Sequence, residues 1–219
     1  MLMSPLQHNS SSAVASVQEF SSEERNQLLR MAHDSISSAL QHREISLEPP
    51  TPHFAEPRGV FTSLYLLLPG HSVPGEGQRG EQLRGCVGYA APTCPVYQAV
   101  AETARAAAFD DNRFPPVTIE EAPHLEIELS ILSPAHPIHP EEIEVGRHGL
   151  LISWHGRRGL LLPQVPVEHA WDRTTFLEQT CRKAGLPLDA WQKDATIEVF
   201  TAEVFGEKSG QHKGGQRCP

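Results

Sequence analysis

Between Leu125 and Ile131 the chain alternates Leu-Glu-Ile-Glu-Leu-Ser-Ile. Leu125, Ile127, Leu129 and Ile131 fall on one parity, and Glu126, Glu128 and Ser130 on the other. A period of two is that of a β-strand, whose successive side chains point to opposite faces. Here one face reads as apolar and the other as wet. Strands of that kind belong to antiparallel sheets, because parallel sheets are covered on both faces.

The remaining segments agree with that beginning. Gly59 to Leu68 reads as a buried strand, and Leu83 to Ala90 as a short strand with a turn. Leu150 to Trp154 and Leu160 to Leu162 read as a hairpin around a Gly-containing turn, and Thr196 to Phe205 as one final strand. Ser21 with Glu24 matches a capping box, and Leu29, Ala32, Ile36 and Leu40 follow at helical spacing, predicting a helix to about His42. Pro95 suits the first turn of a second helix carrying Val96, Val100, Ala104 and Ala107. It ends near Asp110, before Pro115 and Pro116. A third helix covers Thr174 to Ala184 and stops at Gly185. The prolines between Glu48 and Pro57 force a loop, and Pro69 to Gln82 reads as a Gly-rich polar loop. Helices and hairpins without regular βαβ alternation predict an α+β fold with a largely antiparallel sheet and flanking helices. The folded unit is expected over residues 21–205. A disordered Ser- and Gln-rich lead-in over residues 1–20 precedes it, and a flexible Gly-rich tail over residues 206–219 follows.

Charge and thiol usage narrow the function classes. The net charge is -9, from 27 acidic and 18 basic residues. Nucleic acid and anionic membranes are held by clustered Lys and Arg, and no basic stripe occurs, so neither partner is expected. Cys86, Cys94, Cys181 and Cys218 form no Cys-x-x-Cys pair and no metal spacing. They read as reduced thiols of a cytoplasmic protein. No signal-length apolar run occurs near the N-terminus, and the run Leu64 to Leu68 is too short to cross a bilayer. The histidines, His136, His139, His148 and His155 included, match no coordination pattern, so no metal and no cofactor are expected.

Three constellations carry chemistry. In Leu83-Arg84-Gly85-Cys86-Val87-Gly88, Gly85 and Gly88 let backbone turn or approach a ligand, and Arg84 could favour a thiolate at Cys86. The alternative is that Cys86 is a small core residue and the glycines permit packing. Around Asp110-Asp111-Asn112-Arg113-Phe114, carboxylates could position a base or a cation, or could simply make turns. Gln164, Glu168, His169, Trp171 and Asp172 resemble the lining of a polar pocket, or form a rigid loop in which Asp172 caps the next helix.

Together these blocks are specific. Leu83 to Gly88 resembles the Leu-Arg-Gly-Cys-Ile-Gly hallmark of the AMMECR family, also known as protein A of the AmmeMemoRadiSam system. Arg58 to Leu64, Phe109 to Pro116, Ile127 to Pro134, His148 to Leu150 and Leu160 to Asp172 are similar to that family's other blocks, in the same order. Val87, Asn112 and Pro166 depart from its usual Ile, Pro and Ala. The resemblance implies a main antiparallel sheet with helices, a smaller second lobe, and a cleft lined by the hallmark loop. It implies site positions at Arg84, Cys86 and Gly88, at Asp111, Arg113 and Phe114, and at Gln164, Glu168, Trp171 and Asp172. It implies a pathway shared with Memo-type and radical SAM proteins and carries no established reaction. Two functions stay open. One is a binding or assembly protein acting through a cleft around Cys86, with Arg84 and Arg113 on an anionic group. The other is a thiol-dependent enzyme or modification factor with Cys86 as nucleophile and Glu168 as acid or base.

Overall fold

The computed structural model describes residues 19–45, 48–72 and 79–207 of the 219-residue chain, over 67–72 and 79–81 by their backbone alone. The lead-in to residue 18, the tail from residue 208 with Cys218, and residues 73–78 of the expected Gly-rich loop lie outside the described residues. Phe20 is 2% exposed and Gly206 ends a strand, so the ordered fold reaches at least a residue past each edge of the expected 21–205 unit.

Two antiparallel sheets carry the fold. The first contains β1 (Gly59–Ser72), β2 (Arg79–Tyr89), β3 (Leu125–Leu132) and β8 (Ala202–Gly206), in the order β2-β1-β3-β8. The second contains β4 (His136–Pro137), β5 (Gly149–Trp154), β6 (Arg157–Leu161) and β7 (Thr196–Phe200), in the order β4-β7-β5-β6. Most of the stretch read as a loop from Pro69 to Gln82 is strand, because β1 and β2 run past their apolar cores toward the hairpin tip. The single final strand is two. It breaks at Thr201, and its halves join different sheets. Ser133 and Thr201 fasten the crossing, with Ser133 N donating to Thr201 O and Thr201 N donating to Ser133 Oγ, both at 2.9 Å.

Helices α1 (Ser22–Leu40) and α2 (Val96–Phe109) cover one face of the first sheet. The capping box at Ser21 and Glu24 forms as expected, satisfying backbone donors that the first turn leaves unpaired. Ala99, Ala104, Ala107 and Ala108 let α2 lie close on the strands. Leu64, Ile127, Leu129 and Ile131 meet it from the sheet and Phe20, Leu28, Ile36 and Phe54 from the flank. Helix α4 (Arg173–Lys183) belongs with the second sheet, where Phe176, Leu177 and Cys181 pack on Ile143, Leu150, Ile152 and Val199, and the short α3 (Gln164–Glu168) sets Val165 against the cluster between the sheets. Each such fully buried side chain contributes about 1.5–3 kcal/mol. Leu132, Leu162 and Phe200 join the two sheets. No helix among the described residues is long and apolar enough to cross a membrane.

The wet face expected for β3 is a third correction. Glu128 is 5% and Ser130 8% exposed, so this strand is covered on both sides. Alternation reports polarity, and here the polar parity is buried.

Candidate functional site

Cys86 lies in β2, the edge strand of the first sheet. Its neighbour Gly85 faces α2 so closely that a Cβ there would fall 2.0 Å from Ala107 O. Cys86 therefore points to the sheet's other face. It stands opposite Ser63 of β1, and Ser63 stands opposite Glu128 of β3. Cys86, Ser63 and Glu128 form one row across three strands, at 4%, 7% and 5% exposure. The Cys86 Sγ and Ser63 Oγ are 3.2 Å apart, a sulfur hydrogen bond.

The free edge of β2 is closed by the two charged residues of the second block. Cys86 N donates to Asp111 Oδ2 at 2.9 Å, and Arg113 Nη2 donates to Cys86 O at 3.2 Å. Arg113 also forks onto Asp111, Nε to Oδ1 at 2.9 Å and Nη2 to Oδ2 at 2.8 Å. Donor and acceptor thus face Cys86 as a neighbouring strand's peptide would. The Arg113 guanidinium, helped by the Cys86 N–H and opposed by burial, holds the Asp111 carboxyl well below the usual carboxylate range. Arg113 stacks over Phe114 with 5.5 Å from guanidinium carbon to ring centre. The turn after α2 places this clamp.

Arg84 does something other than face the thiol. Leu64 pairs with Gly85 and Tyr65 with Leu83, which leaves Arg84 as the extra residue of a β-bulge. Arg84 Nε and Nη2 donate to the two oxygens of Glu121, each at 3.0 Å. Its remaining bonds go to Pro115 O at 2.7 Å and Pro116 O at 3.1 Å. The expected thiolate-stabilising guanidinium is therefore committed to Glu121, whose carboxyl it holds below its ordinary value.

The third block follows β6, along α3 and into the cap of α4. Gln164 opens α3, and Glu168 ends it, exposed. Trp171 stacks on His169 at 4.7 Å and packs at the edge of the second core. Asp172 caps α4, accepting from Thr175 N at 2.8 Å, and the Thr175 hydroxyl, with that backbone N–H, lowers its carboxyl. Gln164, Glu168, Trp171 and Asp172 lie along α3 and at the cap of α4, whereas Arg84 and Cys86 lie in β2 and Asp111 and Arg113 in the turn after α2. Gly88 touches the join between the sheets through Phe61. A Cβ there would fall 2.3 Å from the Phe61 ring, and Phe61 packs against the Leu132–Leu162–Phe200 cluster.

The sequence reading missed Ser63, Glu128 and Glu121. The pairing register of β1, β2 and β3 is the signal that finds the first two, and it is a long-range property. It also missed a charged group beside β1. The ligand atoms of Glu19, His53 and Glu56 lie within 4.8 Å of one another, and Arg58 Nη2 donates to both carboxylates. His148 is 8% exposed and accepts from Glu144 N at 3.1 Å, and burial pushes its ring pKa down. His155 sits in the β5–β6 turn against Trp154. A small cleft between the sheets, about 30 Å³, is lined by Arg58, Gly59 and Ala90 on one side and Leu151, Arg158 and Phe200 on the other.

Comparison with known proteins completes the assignment. The family model AMMECR1 matches residues 29–205. Protein TK0174 of Thermococcus kodakarensis is 43% identical over 191 residues, covering 83% of this chain and 89% of that protein. Protein MK0488 of Methanopyrus kandleri is 40% identical over 196 residues, covering 85% and 89%. The crystal structure of the uncharacterized protein PH0010 from Pyrococcus horikoshii is similar at 40% identity and a TM-score of 0.66, covering 83% of this chain and 90% of that one. With the family model, relatives at 40% identity or more and a solved fold all covering most of its length, the chain belongs to the AMMECR1 family.

Proposed function

We propose that this chain is a non-catalytic binding or assembly protein, acting in the cytoplasm with Memo-type and radical SAM proteins through the surface around Cys86. One observation carries the reading. Cys86 is 4% exposed and has its backbone N–H and C=O held by Asp111 and Arg113. An activated nucleophile needs access and a neighbour that favours the thiolate. Arg84 is spent on Glu121, and Arg113 already carries the Asp111 carboxylate. The same residues make a rigid, well-braced edge suited to a partner. The resemblance to protein A of the AmmeMemoRadiSam system supports the choice of partners, and the charge of -9 argues against nucleic acid.

Alkylation of each cysteine against pH, read by mass spectrometry on the folded protein, tests it. Cys86 should label only after unfolding, while the half-buried Cys94 labels slowly, because burial raises its thiol pKa. Co-purification with the Memo-type or radical SAM protein from the native host should succeed. Rapid labelling of Cys86 with an apparent pKa well below the ~8.5 of a free thiol would replace this reading with the thiol-dependent one. The row Cys86–Ser63–Glu128 is the feature that favours that second reading, with buried Glu128 better placed as acid or base than exposed Glu168.

A further inference from the structure

We infer that the cleft between the two sheets is a binding site for a carboxylate carried on a small apolar group, held by Arg58 and Arg158. Two arginines line that space from opposite sides, Arg58 just ahead of β1 and Arg158 on the edge strand β6. They are in different states. Arg158 is exposed and has no hydrogen bond or ion pair among the described residues, so its charge is uncompensated. Arg58 is 9% exposed and gives Nη2 to Glu19 and Glu56. Its Nε–H is buried with no acceptor. A buried donor left unmet is rare in folded proteins and marks a place where an acceptor belongs. The arrangement therefore supplies one free positive charge and at least one free donor.

The walls choose among anions. Ala90, Pro92, Leu132, Leu151 and Phe200 make them mostly apolar, and the space is about 30 Å³. A phosphate dianion would meet only one uncompensated cation there. A monoanionic carboxylate is flat, matches a guanidinium edge in two parallel hydrogen bonds, and leaves a short apolar substituent for the wall. Two sources share that chemistry, a free small carboxylic acid and the carboxyl terminus of a polypeptide. The site makes no use of Cys86 and stands whether or not the assembly reading does.

Isothermal titration of the full chain with propionate, and with an acetylated Gly-Ala dipeptide as free acid or amide, tests the inference at constant ionic strength. Propionate binding, or binding of the acid dipeptide but not its amide, is expected. The first result assigns the site to small acids and the second to chain termini. R158Q should weaken binding at least about tenfold with an unchanged melting temperature, since Arg158 is exposed on an edge strand and braces nothing. The Arg58 Nε–H resonance should move on titration in the unsubstituted protein, which avoids disturbing the Glu19 and Glu56 pairs. Absence of binding by every probe overturns the site. So does equal binding by R158Q, or an Arg58 resonance that stays fixed at saturation.

Discussion

Asp111 shows how one side chain can stand in for a strand. It meets an edge N–H and simultaneously orients the guanidinium that meets the edge C=O. Removing it leaves the Cys86 N–H without its acceptor and Arg113 without its counter-charge, in a place where the Asp111 side chain is 5% exposed. Asp111→Ala should cost about 2–3 kcal/mol, read as a lower urea midpoint at unchanged slope. The pH dependence has a definite sign. The folded-state pKa of Asp111 lies below its unfolded value near ~3.9, so its stabilisation is full above that value. It is lost as pH falls through the folded value. Urea midpoints measured from neutral pH down into the acid range should fall less steeply in Asp111→Asn than in the parent. Equal acid slopes would remove the clamp from the account of stability.

Elements were legible where the signal is local. The capping box at Ser21, Pro95 before α2, and Asp172 before α4 each declare a helix end through residues a few positions apart. Three features needed the tertiary structure. Both halves of the Thr196–Phe205 run suit a strand and nothing in it marks a break, so the change of sheet at Thr201 is decided by pairing partners. The bulge at Arg84 is visible only against the register of β1, and it uncouples Arg84 from the thiol two residues on. Glu128 reads as solvent-facing because polarity, and not burial, is what sequence displays. Two glycines separate space from backbone strain. At Gly85 a Cβ would strike Ala107 O at 2.0 Å, whereas at Gly156 nothing lies within 4 Å but φ is +75°. Gly85→Ala must push α2 from the sheet, a loss of about 3 kcal/mol or more. Gly156→Ala keeps its packing and strains only the hairpin turn, where His155 is also at positive φ, a loss of about 1–2 kcal/mol. Melting of the two variants under the same conditions checks the order. If Gly156→Ala proved the worse, close approach of α2 to β2 would not be what Gly85 secures.

Across the whole molecule, the first sheet is held from both of its sequence ends. Glu203 of β8 accepts from Phe20 N and pairs with Arg25, and Phe20 stacks on His53 at 4.5 Å. The start of the fold is thus tied to its last strand and to the 3-10 turn Pro52–Ala55 ahead of β1. His53 is the titrating part of that tie. Burial opposes its charge, but the hydrogen bond it donates to the Glu24 carboxylate and the nearby carboxylates of Glu56 and Glu19 outweigh burial and raise its pKa. Reciprocally, His53 lowers the carboxyl of Glu24. A raised histidine contributes stability that is complete below the unfolded value near ~6.5 and disappears as pH climbs through the folded value. This sign is opposite to that of Asp111, so the two ends of the pH range loosen different parts of one sheet. Deuterium exchange of the Phe20–Glu24 backbone should accelerate relative to the α2 amides as pH rises above about 6.5 and through the folded-state value of His53, after correction for intrinsic exchange. In His53→Gln that relative change should vanish while the acid-side loss owed to Asp111 remains. Persistence of the alkaline loosening in His53→Gln would assign it to another group and leave His53 as a stacking partner of Phe20 alone.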